Sequence, residues 1–191
     1  ATKLSSKKIV IFASGSGSSA ENIILSLKKT SSISVSKLYC NRPDALVLKR
    51  IKKHNIESFV FNSTDLNNDS VLEDLTKISP DLIVLAGFLQ KIPEKIINAF
   101  NNKIINIHPS LLPKHGGKGM YGLNVHRRVI KNNDSESGFT IHYVNKDYDK
   151  GGIIFQKTIK VATDDPKNLA KKVLIEEHKY YPEIIKKILY D

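Results

Sequence analysis

Short apolar runs alternate with helix-patterned segments along most of this chain, and that alternation restricts its fold more than any other feature. Residues 8–13 (Lys-Ile-Val-Ile-Phe-Ala), 81–86 (Asp-Leu-Ile-Val-Leu-Ala) and 103–107 (Lys-Ile-Ile-Asn-Ile) are nearly continuous in branched aliphatics. Such runs suit strands buried on both faces. Residues 34–40 and 58–61 read as two further strands. Between the strands lie segments with helical spacing of apolar residues: 20–29, with Ile23, Ile24 and Leu27, then 45–54, 71–78 and 93–100. Pro80 ends the third of these, and Pro93 suits the first turn of the fourth. Residues 62–70 are polar and are expected to form a loop. A helix at 124–131 precedes two later strands, 137–144 and 153–160, around a polar turn. Asp165 can cap a last helix with Pro166 at its first position and Leu169, Val173, Tyr180, Ile184 and Ile188 on its apolar face. This order predicts an α/β fold: a doubly wound, mostly parallel sheet with helices on both faces. A chain of 191 residues fits a single domain over 1–191.

Two residues within this frame point to chemistry. Residues two apart on a strand face the same way, so Asn106 and His108 stand side by side at the end of the run 103–107. Pro109 lacks a backbone N–H and breaks the strand there. Strand ends of open α/β sheets are where ligands gather. An amide N–H can hold a developing oxyanion, and an imidazole can move protons near neutral pH. The pair suits transfer of an acyl-type group.

A second motif, Gly15-Ser16-Gly17-Ser18-Ser19-Ala20, lies between the first strand and the first helix. It matches the GxGxxA form of a dinucleotide loop. That cofactor form wants an acid about 20 residues further on to hold a ribose. The second strand ends Tyr39-Cys40-Asn41, with no acid. What remains is a helix N-terminus with serine hydroxyls, a cradle for one phosphate.

Composition narrows the partners. The net charge is +11, but the basic residues are almost all lysines scattered among Ile and Asn. That is a solvated lysine surface rather than a nucleic-acid stripe, and it attracts small anions. No apolar run is long enough to cross a membrane. Residues 1–8 lack the apolar stretch of a signal peptide. The single cysteine, Cys40, cannot form an internal disulfide, so a cytoplasmic location is expected. No Cys/His spacing suggests a metal site. Small-molecule substrates are therefore expected, with neither nucleic acid nor membrane as partner.

The octapeptide Asn106-Ile107-His108-Pro109-Ser110-Leu111-Leu112-Pro113 resembles the signature of the formyltransferases that use 10-formyltetrahydrofolate. The likeness runs from about Lys7 to Pro182. It is strongest to the branch that formylates the amine of 5-phosphoribosylglycinamide in purine synthesis. Another formyltransferase or formyl hydrolase, such as methionyl-tRNA formyltransferase, is the alternative. The resemblance implies 10-formyltetrahydrofolate as co-substrate, no metal, and a monomer or homodimer.

It also implies roles. Asn106 steadies the oxyanion, His108 assists proton movement, and Asp149 orients and supports His108. His142, Val144, Asp149 and Gly151 match the family's H-x-V-x-x-x-x-D-x-G motif; Asp147 is a competing carboxylate two residues away. Folate would lie against Leu89, Gln90, Lys91 and Ile92, which follow Leu85-Ala86-Gly87-Phe88, and against Asn145, Lys146, Asp147 and Tyr148. The ribotide would meet Gly17, Ser18 and Ser19 through its phosphate, and Asn106 and Glu177 elsewhere. Glu177 belongs to an E-H-x-x-Y-P segment; read alone it is an exposed helical carboxylate. The family usually has Asn where Ser19 stands and often Arg where Gln90 stands and near Asn68. A cis bond at Leu112–Pro113 is implied as well. Residues 115–122 are glycine-rich and read as a flexible loop.

Overall fold

A computed structural model describes residues 5–30, 32–147 and 151–191. Tyr148 and Asp149, two of the site residues expected above, lie outside the described residues. The chain runs β1 (Lys7–Ala13), α1 (Ser18–Lys28), β2 (Ile33–Cys40), α2 (Leu46–Lys52), β3 (Glu57–Val60), α3 (Ser63–Asn67), α4 (Ser70–Ile78), β4 (Leu82–Leu85), α5 (Glu94–Ala99), β5 (Ile104–His108), α6 (Leu123–Lys131), β6 (Glu136–Tyr143), β7 (Ile153–Lys160) and α7 (Pro166–Tyr190). The strands form one sheet in the order β3-β2-β1-β4-β5-β6-β7. Pairing is parallel from β3 to β5 and antiparallel for β5–β6 and β6–β7. The expected doubly wound, mostly parallel α/β fold is what forms.

Both faces of the central strands are covered. Along β1, Ile9, Ile11 and Ala13 join the core beneath α1, α2 and α7, while Val10 and Phe12 join the core beneath α4 and α5. A strand alternates sides, so burial of both sides requires an unbroken apolar run. Stacked rings of Phe12 and Tyr39, 4.7 Å apart, fill the second core. No helix among the described residues is long and apolar enough to cross a membrane.

The structure differs from the expected elements in a few places. Residues 62–70 are not a loop. Asn62 caps α3, its side chain accepting from the Asp65 N–H at 2.9 Å while the Asp65 carboxylate accepts from the Asn62 N–H at 3.1 Å. This reciprocal pair satisfies two otherwise orphaned donors and turns a polar stretch into a helix start. Pro93 is the N-cap of α5 rather than a member of its first turn. In α7 the buried residues are Leu169, Val173, Glu177, Tyr181, Pro182, Ile184 and Ile185, so Leu169, Val173 and Ile184 lie on the buried face as expected while Tyr180 and Ile188 are only partly buried. Pro182 lies inside α7 and lacks the N–H that would reach the His178 carbonyl. Asn22 of α1 supplies the missing donor, its Nδ2–H meeting that carbonyl at 2.8 Å. The proline thus fastens α7 to α1 instead of breaking the helix.

Candidate active site

The loops after β1, β4 and β5 meet where the strand order reverses, the crevice in which open α/β sheets hold ligands. After β1 the chain turns through Gly17, the N-cap of α1, at φ 79°. A Cβ there would stand 2.4 Å from Val47 Cγ2, so only glycine fits. The N-cap, Gly17, has no side chain to cap α1, and the Ser18 N–H makes only a long contact, 3.5 Å, to Ser16 Oγ. The first-turn amides therefore keep their capacity to bind an anion. Ser19 Oγ lies 3.2 Å from His178 Nε2. Burial lowers the His178 pKa, and a neutral ring nitrogen can serve as donor or acceptor to the hydroxyl. Ser14 joins this loop to the next: its N–H donates to the Gly87 carbonyl at 3.1 Å, and its Oγ accepts from the Leu89 N–H at 3.0 Å.

On the other side of the crevice, β5 ends in the expected pair. Antiparallel register sets Asn106 opposite His142 and His108 opposite Thr140. The His142 Nδ1–H donates to the Tyr143 carbonyl at 3.0 Å. A carbonyl only accepts, so in a neutral ring Nε2 carries the lone pair. The group 3.4 Å from that nitrogen, Asn106 Nδ2, is then a donor, which fixes the direction of the Asn106 amide. His108 is 4% exposed and donates from Nε2 to the His115 carbonyl at 2.9 Å. His126, buried on α6, has its pKa lowered to about 4 by burial first and the nearby His108 second. It is a neutral neighbour at physiological pH.

One cavity of about 570 Å³ collects most of the expected residues. Ser19, Leu89, Gln90, Lys91, Ile92, Asn106, His108, Asn145, Asp147 and Glu177 all line it. Gly17, Ser18 and Lys146 are not among its lining residues. Glu177 is not the exposed helical carboxylate its sequence context suggests: it is buried, and desolvation pushes its pKa up to about 8. The sequence reading gave no site role to residues 117–122 or to Leu174, yet they form part of the wall. The glycine density of 115–122 was the available signal. His142 and Val144 also line the cavity, as the motif around them foreshadowed. Gly151 closes that motif because a Cβ there would fall 1.5 Å from the Tyr143 carbonyl oxygen. The Leu112–Pro113 bond is cis, as expected. Among the described residues no group of three His, Cys, Asp or Glu is placed to hold a metal ion.

A family model described as formyl transferase matches residues 7–185. A chloroplastic phosphoribosylglycinamide formyltransferase of Arabidopsis thaliana is 39% identical over 187 residues, covering 94% of this chain and 64% of the relative. This chain thus spans about two thirds of that relative's length. The phosphoribosylglycinamide formyltransferase of Bacillus subtilis (strain 168) is 36% identical over 190 residues, covering 96% of this chain and 95% of the relative. The crystal structure of a protein of that name from Anaplasma phagocytophilum superposes with a TM-score of 0.87 at 33% identity, covering 96% of this chain and 87% of the other.

Proposed function

The chain belongs to the formyl transferase family, and from that premise we propose that it transfers the formyl group of 10-formyltetrahydrofolate to the amine of 5-phosphoribosylglycinamide. The ribotide phosphate rests on the amides of Gly17 and Ser18, with the Ser19 hydroxyl beside it. Glu177 meets the ribose end; as a neutral carboxyl it donates a hydrogen bond, and as a carboxylate it accepts one. Folate enters along Leu89, Gln90, Lys91 and Ile92, and along the backbone of Asn145, Lys146, Asp147 and Tyr148. A cavity of about 570 Å³ with an apolar wall at Phe88, Ile92 and Val144 fits a flat ring system of that size.

The amine nitrogen attacks the formyl carbon, and the bond from that carbon to the folate nitrogen breaks. The amide of Asn106, already aimed by His142, donates to the formyl oxygen as it gains negative charge. His108 accepts a proton from the attacking amine and returns one to the leaving nitrogen. Asp149 supports the charge that His108 acquires. Holding both reactants in one crevice removes most of the entropic cost of their meeting.

The observation that carries this reading is the convergence of Asn106, His108 and Glu177 on one cavity beside an uncapped helix N-terminus. Incubating the protein with both substrates and following folate absorbance as the formyl group leaves tests it. Turnover with the ribotide is expected. Turnover with methionyl-tRNA and none with the ribotide would overturn it.

A further inference from the structure

His108 does not choose its own orientation. Its Nε2–H is taken by the carbonyl of His115, in the turn that follows the signature. A carbonyl accepts only, so this contact requires a proton on Nε2 and holds that edge of the ring. Where that carbonyl sits is therefore where the imidazole is set.

The front of the turn is locked to the sheet. The Leu112 N–H donates to Thr140 Oγ1 at 3.0 Å, and the Thr140 hydroxyl donates to the Ser110 carbonyl at 2.7 Å. Gln156 of β7 donates to the Leu112 carbonyl at 2.9 Å. The rear of the turn is held differently. His115 sits at φ 54°, a conformation unfavourable for a residue with a Cβ. Its side chain reaches away from the crevice and donates from Nε2 to Asp134 Oδ2 at 2.6 Å. Asp134 is fixed in turn at the end of α6, its N–H donating to the Val129 carbonyl at 3.2 Å. Both side chains of the pair are largely buried, at 8% and 21% exposure, so the contact is not diluted by solvent.

We propose that His115 and Asp134 are a positioning pair for His108: their hydrogen bond holds a left-handed turn in place and so holds the carbonyl that sets the His108 tautomer. Neither side chain lines the cavity or touches substrate. The pair acts through the backbone, and its expected signature is a loss of turnover without a loss of binding. This rests on the formyl-transfer reading for its kinetic arm but not for its spectroscopic one.

The test compares the parent with Asp134→Ala, His115→Leu and His115→Gln. Two readouts are taken: the ¹⁵N NMR signals of the His108 ring, and kcat separately from KM for the ribotide. In Asp134→Ala and His115→Leu, the His108 Nε2 signal should move toward that of a tautomer mixture. Turnover should fall by about 10-fold to 100-fold, as when the partner orienting a functional histidine is lost, with KM little changed. His115→Gln can still donate an N–H to Asp134 and should keep most of the parent's turnover and His108 signal. If Asp134→Ala fails to fold, His115→Leu decides by the same readouts. Unmoved His108 signals in a folded His115→Leu would overturn the proposal, as would a rise in KM with turnover intact. A parent that transfers no formyl group overturns the assigned reaction instead, and the NMR comparison still decides the pair.

Discussion

The two sides of the crevice are made of different materials. On the parallel side, β1 hands over to α1, and what the loop offers is backbone: a left-handed glycine and the amides of a helix start. On the antiparallel side, β5 and β6 bring side chains into register, and what faces the cavity is Asn106, His108 and His142. Backbone amides bind an anion whatever side chains flank them. This explains how Ser19 can stand where the family usually has Asn. Side chains in register allow no such freedom, because each one's direction depends on a named partner. Changes on the antiparallel side should therefore strike turnover, and changes on the parallel side should strike ribotide affinity or folding.

The largest effect that can break this division is His108→Ala. Turnover should fall by about 10²–10⁴-fold, the usual contribution of a general acid–base group, with ribotide affinity nearly intact. Calorimetric titration with the ribotide alongside a rate assay checks both halves; a folded variant with parent-like turnover would remove His108 from the chemistry. Next comes the choice of carboxylate. Asp149→Asn should cost far more turnover than Asp147→Asn and should shift the acidic limb of the rate profile, because a carboxylate beside an imidazole favours its charged form. Equal, mild losses with an unmoved profile in both variants would mean that the wrong carboxylate bears the role.

On the parallel side, Gly17→Ala places a methyl group into Val47 at a backbone angle that only glycine adopts freely. Destabilisation of about 1–3 kcal/mol is expected from strain of this kind, with ribotide KM raised and residual turnover still supported by Asn106 and His108. Urea unfolding and steady-state kinetics measure the two parts.

The last effect, which changes stability and is seen only as a function of pH, is read at Glu177. Its carboxyl holds a proton up to about pH 8 in the folded protein and only to about 4.5 in the unfolded chain. Between those values the folded state holds the extra proton at this carboxyl, so Glu177's own contribution to stability falls as pH rises through the window and is fully lost above about pH 8. Glu177→Gln removes the ionisation. The gap between variant and parent should therefore widen as pH rises through that window, with the variant ahead at pH 8 by as much as a few kcal/mol. A variant that tracks the parent at every pH would show that Glu177 ionises normally.

The same division governs what the sequence made legible. Strands β1, β4 and β5 were readable because burial on both faces forces unbroken apolar runs, and the signature placed Asn106 and His108 at a strand end. Helix α3 was not, since its start depends on two polar side chains answering each other's backbone, and polarity alone looks like a loop. Burial of Glu177 was hidden for a related reason: helical spacing shows which face an apolar residue takes, but a carboxylate at the same spacing reads as solvent-facing. The contribution of residues 117–122 to the wall depends on where a long connection folds back, and no periodicity encodes that.

The two hydrogen bonds of Ser14 carry a thermodynamic meaning. They join the loop proposed to cradle the phosphate directly to the strand end proposed to receive folate, through the Gly87 carbonyl and the Leu89 amide. Two substrates that each tighten one end of such a brace are thermodynamically linked. If bound ribotide strengthens folate binding by some factor, bound folate must strengthen ribotide binding by that same factor. The free energy of their mutual preference is a single number that can be measured from either direction.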